Sequence, residues 1–138
     1  MRRLLTGALA AAFASTAAGA IGLGPLRLDG ATAGPRRGFN LQLINSDRDA
    51  ATLVAYAVGV GDETPDPRVR IWPARARLAA NGSRRLFVIA EDLAPGEVRR
   101  FRVCAEREDE DESVTLRARV CAKLTATRLG VQGANGAS

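Results

Sequence analysis

The chain has 138 residues and a formal charge of +5 at pH 7, from 20 basic and 15 acidic side chains, and it is long enough for one domain with a single core. It contains no histidine, which removes the commonest general base and the commonest metal ligand, and its two cysteines cannot build a structural zinc site alone. Lys123 is the only lysine. The arginines alternate along apolar segments instead of clustering with stacking aromatics, so the basic balance argues against nucleic-acid binding.

Residues 1–20, MRRLLTGALAAAFASTAAGA, have the form of a secretory signal peptide. Arg2 and Arg3 start it, a short apolar run follows, and Ala18-Gly19-Ala20 supplies small residues at a cleavage site. The run is too short to span a bilayer, and no later segment approaches the ~20 apolar residues a spanning helix needs. An exported domain over 21–128 and a disordered tail over 129–138 are the expected organisation. Without the two signal arginines the balance falls to about +3, too small to define a phosphate-binding surface. In an exported chain, Cys104 and Cys121 are best read as a disulfide.

Strand patterns recur at short intervals, near 21–28, 38–45, 52–60, 68–72, 84–90, 97–106 and 113–126. Turn-forming clusters separate them: Asp29-Gly30, Asn45-Ser46-Asp47, Gly61 to Pro67, Asn81-Gly82 and Ala94-Pro95-Gly96. Asn81-Gly82-Ser83 is formally a glycosylation acceptor, but its position between two strand patterns reads as a turn. Seven short strands with this spacing predict an all-β, immunoglobulin-like sandwich. Phe39, Leu41 and Leu43 alternate, as do Val54, Tyr56, Val58 and Val60, and each set is expected to face the core.

The last strand is the most regular. Val114, Leu116, Ala118, Val120, Ala122 and Leu124 fall on one parity, and Thr115, Arg117, Arg119, Cys121 and Lys123 on the other. If Cys104 lies opposite Cys121 in an antiparallel hairpin, Phe101 faces Leu124 and Val103 faces Ala122 on the apolar side. Glu106 then faces Arg119, and Glu108 faces Arg117, on the polar side. One register satisfies the thiols, the charges and the apolar matches together. It leaves the acidic run Glu108 to Glu112 at the tip, where the glycine-containing ligand spacing of a calcium loop is missing.

These segments, in this order, resemble the N-terminal immunoglobulin-like domain of the periplasmic chaperones of chaperone–usher pilus assembly. GPLRLDG is similar to the first strand of that family, and LQLINSD to a second strand that ends in Asn before a turn. IWPARARLAANGSRRLFV resembles a strand ending at proline, followed by a Leu–turn–basic stretch. GEVRRFRVCAE and SVTLRARVCAKL resemble the last two strands. In that family the seventh strand lies at an open edge and is donated to a pilus subunit that lacks a strand, a form of β-augmentation. The resemblance implies Val114, Leu116, Ala118 and Val120 as donor residues, with Arg27 and Lys123 clamping the carboxylate of the subunit. It also implies a periplasmic location and, as partners, a pilus subunit and an outer-membrane usher. Members of the family continue into a second sandwich domain through an aromatic, proline-containing junction, where this chain has LTATRLG.

An enzyme has no support in the sequence: there is no histidine, no nucleophile elbow and no phosphate-binding loop, since GLG at 22–24 precedes a strand. No metal or cofactor is expected. The competing reading is a self-contained exported β-sandwich with a structural or adhesive role.

Overall fold

The computed structural model describes residues 20–108 and 118–130. The expected signal segment 1–19, the loop residues 109–117 with Val114, Leu116 and Arg117, and the tail 131–138 lie outside the described residues. Among those described there is no helix. Nine strands form: β1 (Ile21–Gly24), β2 (Arg27–Thr32), β3 (Arg37–Asn45), β4 (Ala51–Val58), β5 (Val69–Trp72), β6 (Arg75–Leu78), β7 (Ser83–Ala90), β8 (Val98–Arg107) and β9 (Arg119–Arg128). They build two sheets, ordered β1-β3-β7-β5 and β2-β9-β8-β4-β6, packed face to face as an immunoglobulin-like sandwich.

The core is drawn from alternate residues of both sheets. Phe39, Leu41 and Leu43 of β3 and Leu86, Val88 and Ala90 of β7 meet Leu53 of β4, Phe101 and Val103 of β8, and Ala122, Leu124 and Ala126 of β9. Phe39 and Phe101 touch edge to face across the layers, with ring centroids 6.3 Å apart. The hairpin register is the expected one. Cys104 pairs with Cys121, Phe101 with Leu124, Val103 with Ala122 and Glu106 with Arg119, and the two cysteines are disulfide-bonded.

Three expectations are corrected. The segment 21–28 is two strands rather than one, because Pro25 has no N–H with which to continue a ladder. The chain crosses there from an antiparallel pairing with β3 to a parallel pairing with β9, so it borders both sheets. A strand is added at Arg75–Leu78, paired to β4, with only Ala76 and Leu78 facing inward. On β4 the buried parity is Ala51, Leu53, Ala55 and Ala57; of the expected set only Val58 is buried, while Val54 and Tyr56 are half-buried and Val60 is exposed. Both parities of that strand are apolar, so alternation alone could not choose between them. The Tyr56 hydroxyl decides the outer face, since it needs a partner and donates to Glu106 Oε2 at 3.2 Å.

Asn45 closes one end of the sandwich. It is the one polar residue buried as a whole among the described residues, and its Nδ2 donates to the carbonyls of Asp49 (2.9 Å), Leu78 and Ala79 (3.2 Å each). Its Oδ1 accepts the Asp47 amide at 3.1 Å. One side chain thus fastens two turns and satisfies its own buried polarity. In the second of those turns Asn81 has φ 60°, and a Cβ on Gly82 would sit 2.9 Å from the Ala79 carbonyl oxygen, so the Asn-Gly pair is required by the backbone.

At the opposite end Glu97 receives both Arg68 nitrogens, at 2.7 and 3.0 Å, and the Ala94 amide at 2.9 Å. The Arg68 hydrogen bonds, followed by the Ala94 amide, lower its pKa from 4.5 to about 2. Arg99 forms a second two-pronged pair with Asp66, at 2.6 and 3.0 Å.

Candidate functional site

Strand β9 has two dissimilar halves. From Lys123 onward it lies between β8 and β2, with Arg27 opposite Lys123 and Thr32 opposite Arg128. Over Arg119–Ala122 no described strand pairs it on the β2 side, so among the described residues that edge is open. The Lys123 amide donates to the Leu26 carbonyl at 2.9 Å. Amide direction alternates along a strand, so the amides of Cys121 and Arg119 point the same way, into the open edge.

The apolar face changes along the same strand. Ala126 and Ala122 are fully buried and Leu124 is 1% exposed, Val120 is half-buried against the edge of the core, and Ala118 is exposed. The hydrophobic row therefore emerges from the sandwich as it runs toward residue 118. Among the four expected donor residues, Ala118 and Val120 lie on this emerging row. Val114 and Leu116 lie outside the described residues.

The open edge ends at a pair of cations. Arg27 and Lys123 are register partners on neighbouring strands, both are exposed, and both line one cavity of about 350 Å³. Asp29, Val60, Arg100 and Thr125 also contribute to its wall. Neither Arg27 nor Lys123 makes an ion pair with a described residue. Arg102, directly across β9 from Arg27, donates to the Gly59 carbonyl (2.8 Å), the Asp62 carbonyl (2.6 Å) and Glu63 (3.1 Å).

Arg119 also differs from expectation. It faces Glu106 in the register, but its guanidinium bonds Glu63 at 2.6 and 3.0 Å, and Tyr56 Oη links it to Glu106. Glu63 reaches it from the 59–67 loop, which folds back over the sheet. Hydrogen bonds from Arg119 and then Arg102 lower the Glu63 pKa from 4.5 to about 2. Glu108 bonds Arg75 at 2.7 Å; its expected cross-strand neighbour Arg117 lies outside the described residues. Charges on the hairpin find partners in the 59–67 loop and on β6, because the guanidinium reaches well beyond its cross-strand neighbour.

The sequence reading passed over two features. Arg100 is the third cation of the cavity, and the hairpin register alone would have placed it opposite Thr125, one step diagonally from Lys123. The second is an apolar patch on the outer face of the other sheet, where Trp72 is 64% exposed, Phe87 42% and Ile89 37%. The off-parity residues of β7 carried that signal. Among the described residues no group of three or more His, Cys, Asp or Glu could hold a metal ion, and no helix is long and apolar enough to cross a membrane.

No family model matches the chain, and no curated protein matches it in sequence. Solved structures do. The chaperone DraB of E. coli superposes with a TM-score of 0.65 at 21% identity, over 80% of this chain and 55% of DraB. A chain of the Salmonella enterica complex of SafA pilin with the SafB chaperone gives 0.65 at 20% identity, over 79% and 54%. The PapD-like domain of human CEP192 gives 0.59 at 14% identity, over 80% of this chain and 86% of that domain. The chain spans about half the length of the chaperones it matches. It has the immunoglobulin-like fold that these pilus chaperones share.

Proposed function

We propose that the protein is an exported, periplasmic, chaperone-like binder of pilus subunits that lends the first part of β9 to an incomplete partner chain. The observation that carries this reading is the emergence of the apolar row of β9 from the core beside an open strand edge. A partner strand running parallel to β9 along residues 118–122 would bond the outward amides of Arg119 and Cys121 and end where β2 begins. Its terminal carboxylate then meets Arg27 and Lys123. Charge-assisted bonds to that group contribute up to about 1.5–3 kcal/mol each and fix the register of the added strand. Val114 and Leu116 continue the same parity in the sequence, and burying each in a partner's pocket would contribute about 1.5–3 kcal/mol, with Ala118 adding less. An outer-membrane usher is the expected acceptor of the complex. No step of this role is catalytic.

The likeness to solved chaperones supports the reading at the level of fold. One observation favours a self-contained sandwich with a structural or adhesive role: the same fold matches nearly all of the CEP192 domain, so the fold by itself does not carry subunit capture. Co-expression with a candidate pilus subunit separates the two. The full chain should co-purify with it, and Leu116→Glu should not, because an unpaired charge would enter an apolar pocket. Lys123→Ala should weaken capture with an unchanged circular dichroism spectrum. Normal capture by both variants overturns the chaperone reading.

A further inference from the structure

Arg27, Arg100 and Lys123 line one cavity together with a single carboxylate, Asp29, and none of the three cations makes an ion pair with a described residue. Their layout follows from the register. Arg27, Lys123 and Arg102 form one row across β2, β9 and β8, and Asp29, Thr125 and Arg100 form the next row on the same face. Arg100 thus stands diagonally beside Lys123, about 7–8 Å away between Cβ positions. Asp29 lies two strands from Arg100, about 10 Å across the sheet, with Thr125 between them, so it does not neutralise that guanidinium. The other arginines of β8 are engaged: Arg99 with Asp66, Arg102 with Glu63 and two carbonyls, and Arg107 with Asp47. Arg100 alone on that strand is left toward the cavity.

A single terminal carboxylate held by Arg27 and Lys123 leaves one positive charge uncompensated at Arg100. We infer that the cavity selects a partner chain whose last residue is Asp or Glu, the α-carboxylate bound by Arg27 and Lys123 and the side-chain carboxylate by Arg100. This rests on the subunit-capture reading and adds the identity of the terminal residue to it. Thr125, on the same row, offers a hydroxyl between the two anchoring points, and exposed Val60 gives the last side chain's methylenes an apolar wall.

The test uses the full chain and three fluorescein-labelled octapeptides of alternating Val and Thr, ending in free Glu, free Gln or amidated Gln, read by fluorescence anisotropy. The free-Glu peptide should bind about fivefold tighter than the free-Gln peptide, as one added, partly exposed ion pair allows. Arg100→Gln should abolish that preference, and Arg100→Lys should restore part of it. The preference should also shrink as salt is raised. Equal binding of the Glu and Gln peptides, or a Glu preference that survives Arg100→Gln, overturns the inference while carboxylate anchoring stands. If free and amidated Gln peptides bind alike, if Lys123→Ala changes nothing, or if no peptide binds, carboxylate anchoring fails and the inference fails with it.

Discussion

The two halves of β9 share one alternating pattern and behave differently. Between Lys123 and Arg128 the strand is held on both edges, and its apolar row is sealed in the core. Between Ala118 and Ala122 one edge is open, and the same row rises to the surface. Alternation therefore states that a face is apolar and leaves open what covers it. In the second half the cover is the opposite sheet. In the first half the described residues supply only part of it, and an edge that no described strand pairs lies next to cations without an ion pair to a described residue.

Truncation should separate the halves most strongly. Leu124→Ala removes a fully buried side chain and should cost about 2–5 kcal/mol, seen as a lower urea midpoint. Val120→Ala, at the half-buried position, should cost about 1 kcal/mol or less and yet weaken subunit capture. Equal costs would mean that the first half is as well covered as the second.

The disulfide sits where the halves meet. Thiol labelling of denatured, non-reduced exported protein should find no free cysteine. Replacing both Cys104 and Cys121 by alanine should lower stability by about 3 kcal/mol, the closure term for a bridge with a sequence separation of 17. Stability unchanged by that double substitution would show that the pairing of β8 with β9 does not depend on the bridge.

Much of this was legible in the sequence, and the failures share a cause. The β8–β9 register was legible because cysteines, charges and apolar residues each selected the same pairing. Arg27 and Lys123 were singled out through a resemblance, and their juxtaposition follows from the parallel pairing of β2 with β9. The crossing at Pro25, the short β6 and the buried face of β4 were not legible, since each depends on which sheet a segment joins rather than on its own period. Arg119 found Glu63 rather than Glu106 for the same reason: the partner comes from a loop distant in sequence.

Each half also has a carboxylate holding it, and acid should distinguish them. Glu97, whose carbonyl also accepts the Arg128 amide at 2.9 Å, secures the closed end, and Glu63 secures the start of the open half through Arg119. Both carboxyls titrate near 2 in the fold, against 4.5 when free. The unfolded chain therefore binds more protons below about pH 4.5, so their contribution is complete above that value and is lost as pH falls toward 2. Glu97→Gln should flatten the acid limb of a stability–pH curve. Glu63→Gln should flatten it less, because the 59% exposed side chain is screened by water. A larger effect at Glu63 would reverse the ranking of the two ends.

The smallest effect on stability is expected at the cation pair. Lys123→Ala should change the folding free energy by no more than about 0.5 kcal/mol, because the side chain is exposed and makes no ion pair with a described residue. A large loss of stability there would make the lysine a structural residue and remove it from the clamp.

Residue-resolved amide hydrogen exchange of the full chain, alone and in complex with a co-expressed pilus subunit, tests the donated edge most directly. Alone, the amides of Arg119 and Cys121 should exchange quickly, while those of Ala122 and Leu124, bonded toward β8, exchange slowly. In the complex the Arg119 and Cys121 amides should become protected as an added strand bonds them, with no change at Leu124. Strong protection of Arg119 and Cys121 in the free protein, or exchange that is unaltered in the complex, would contradict the account.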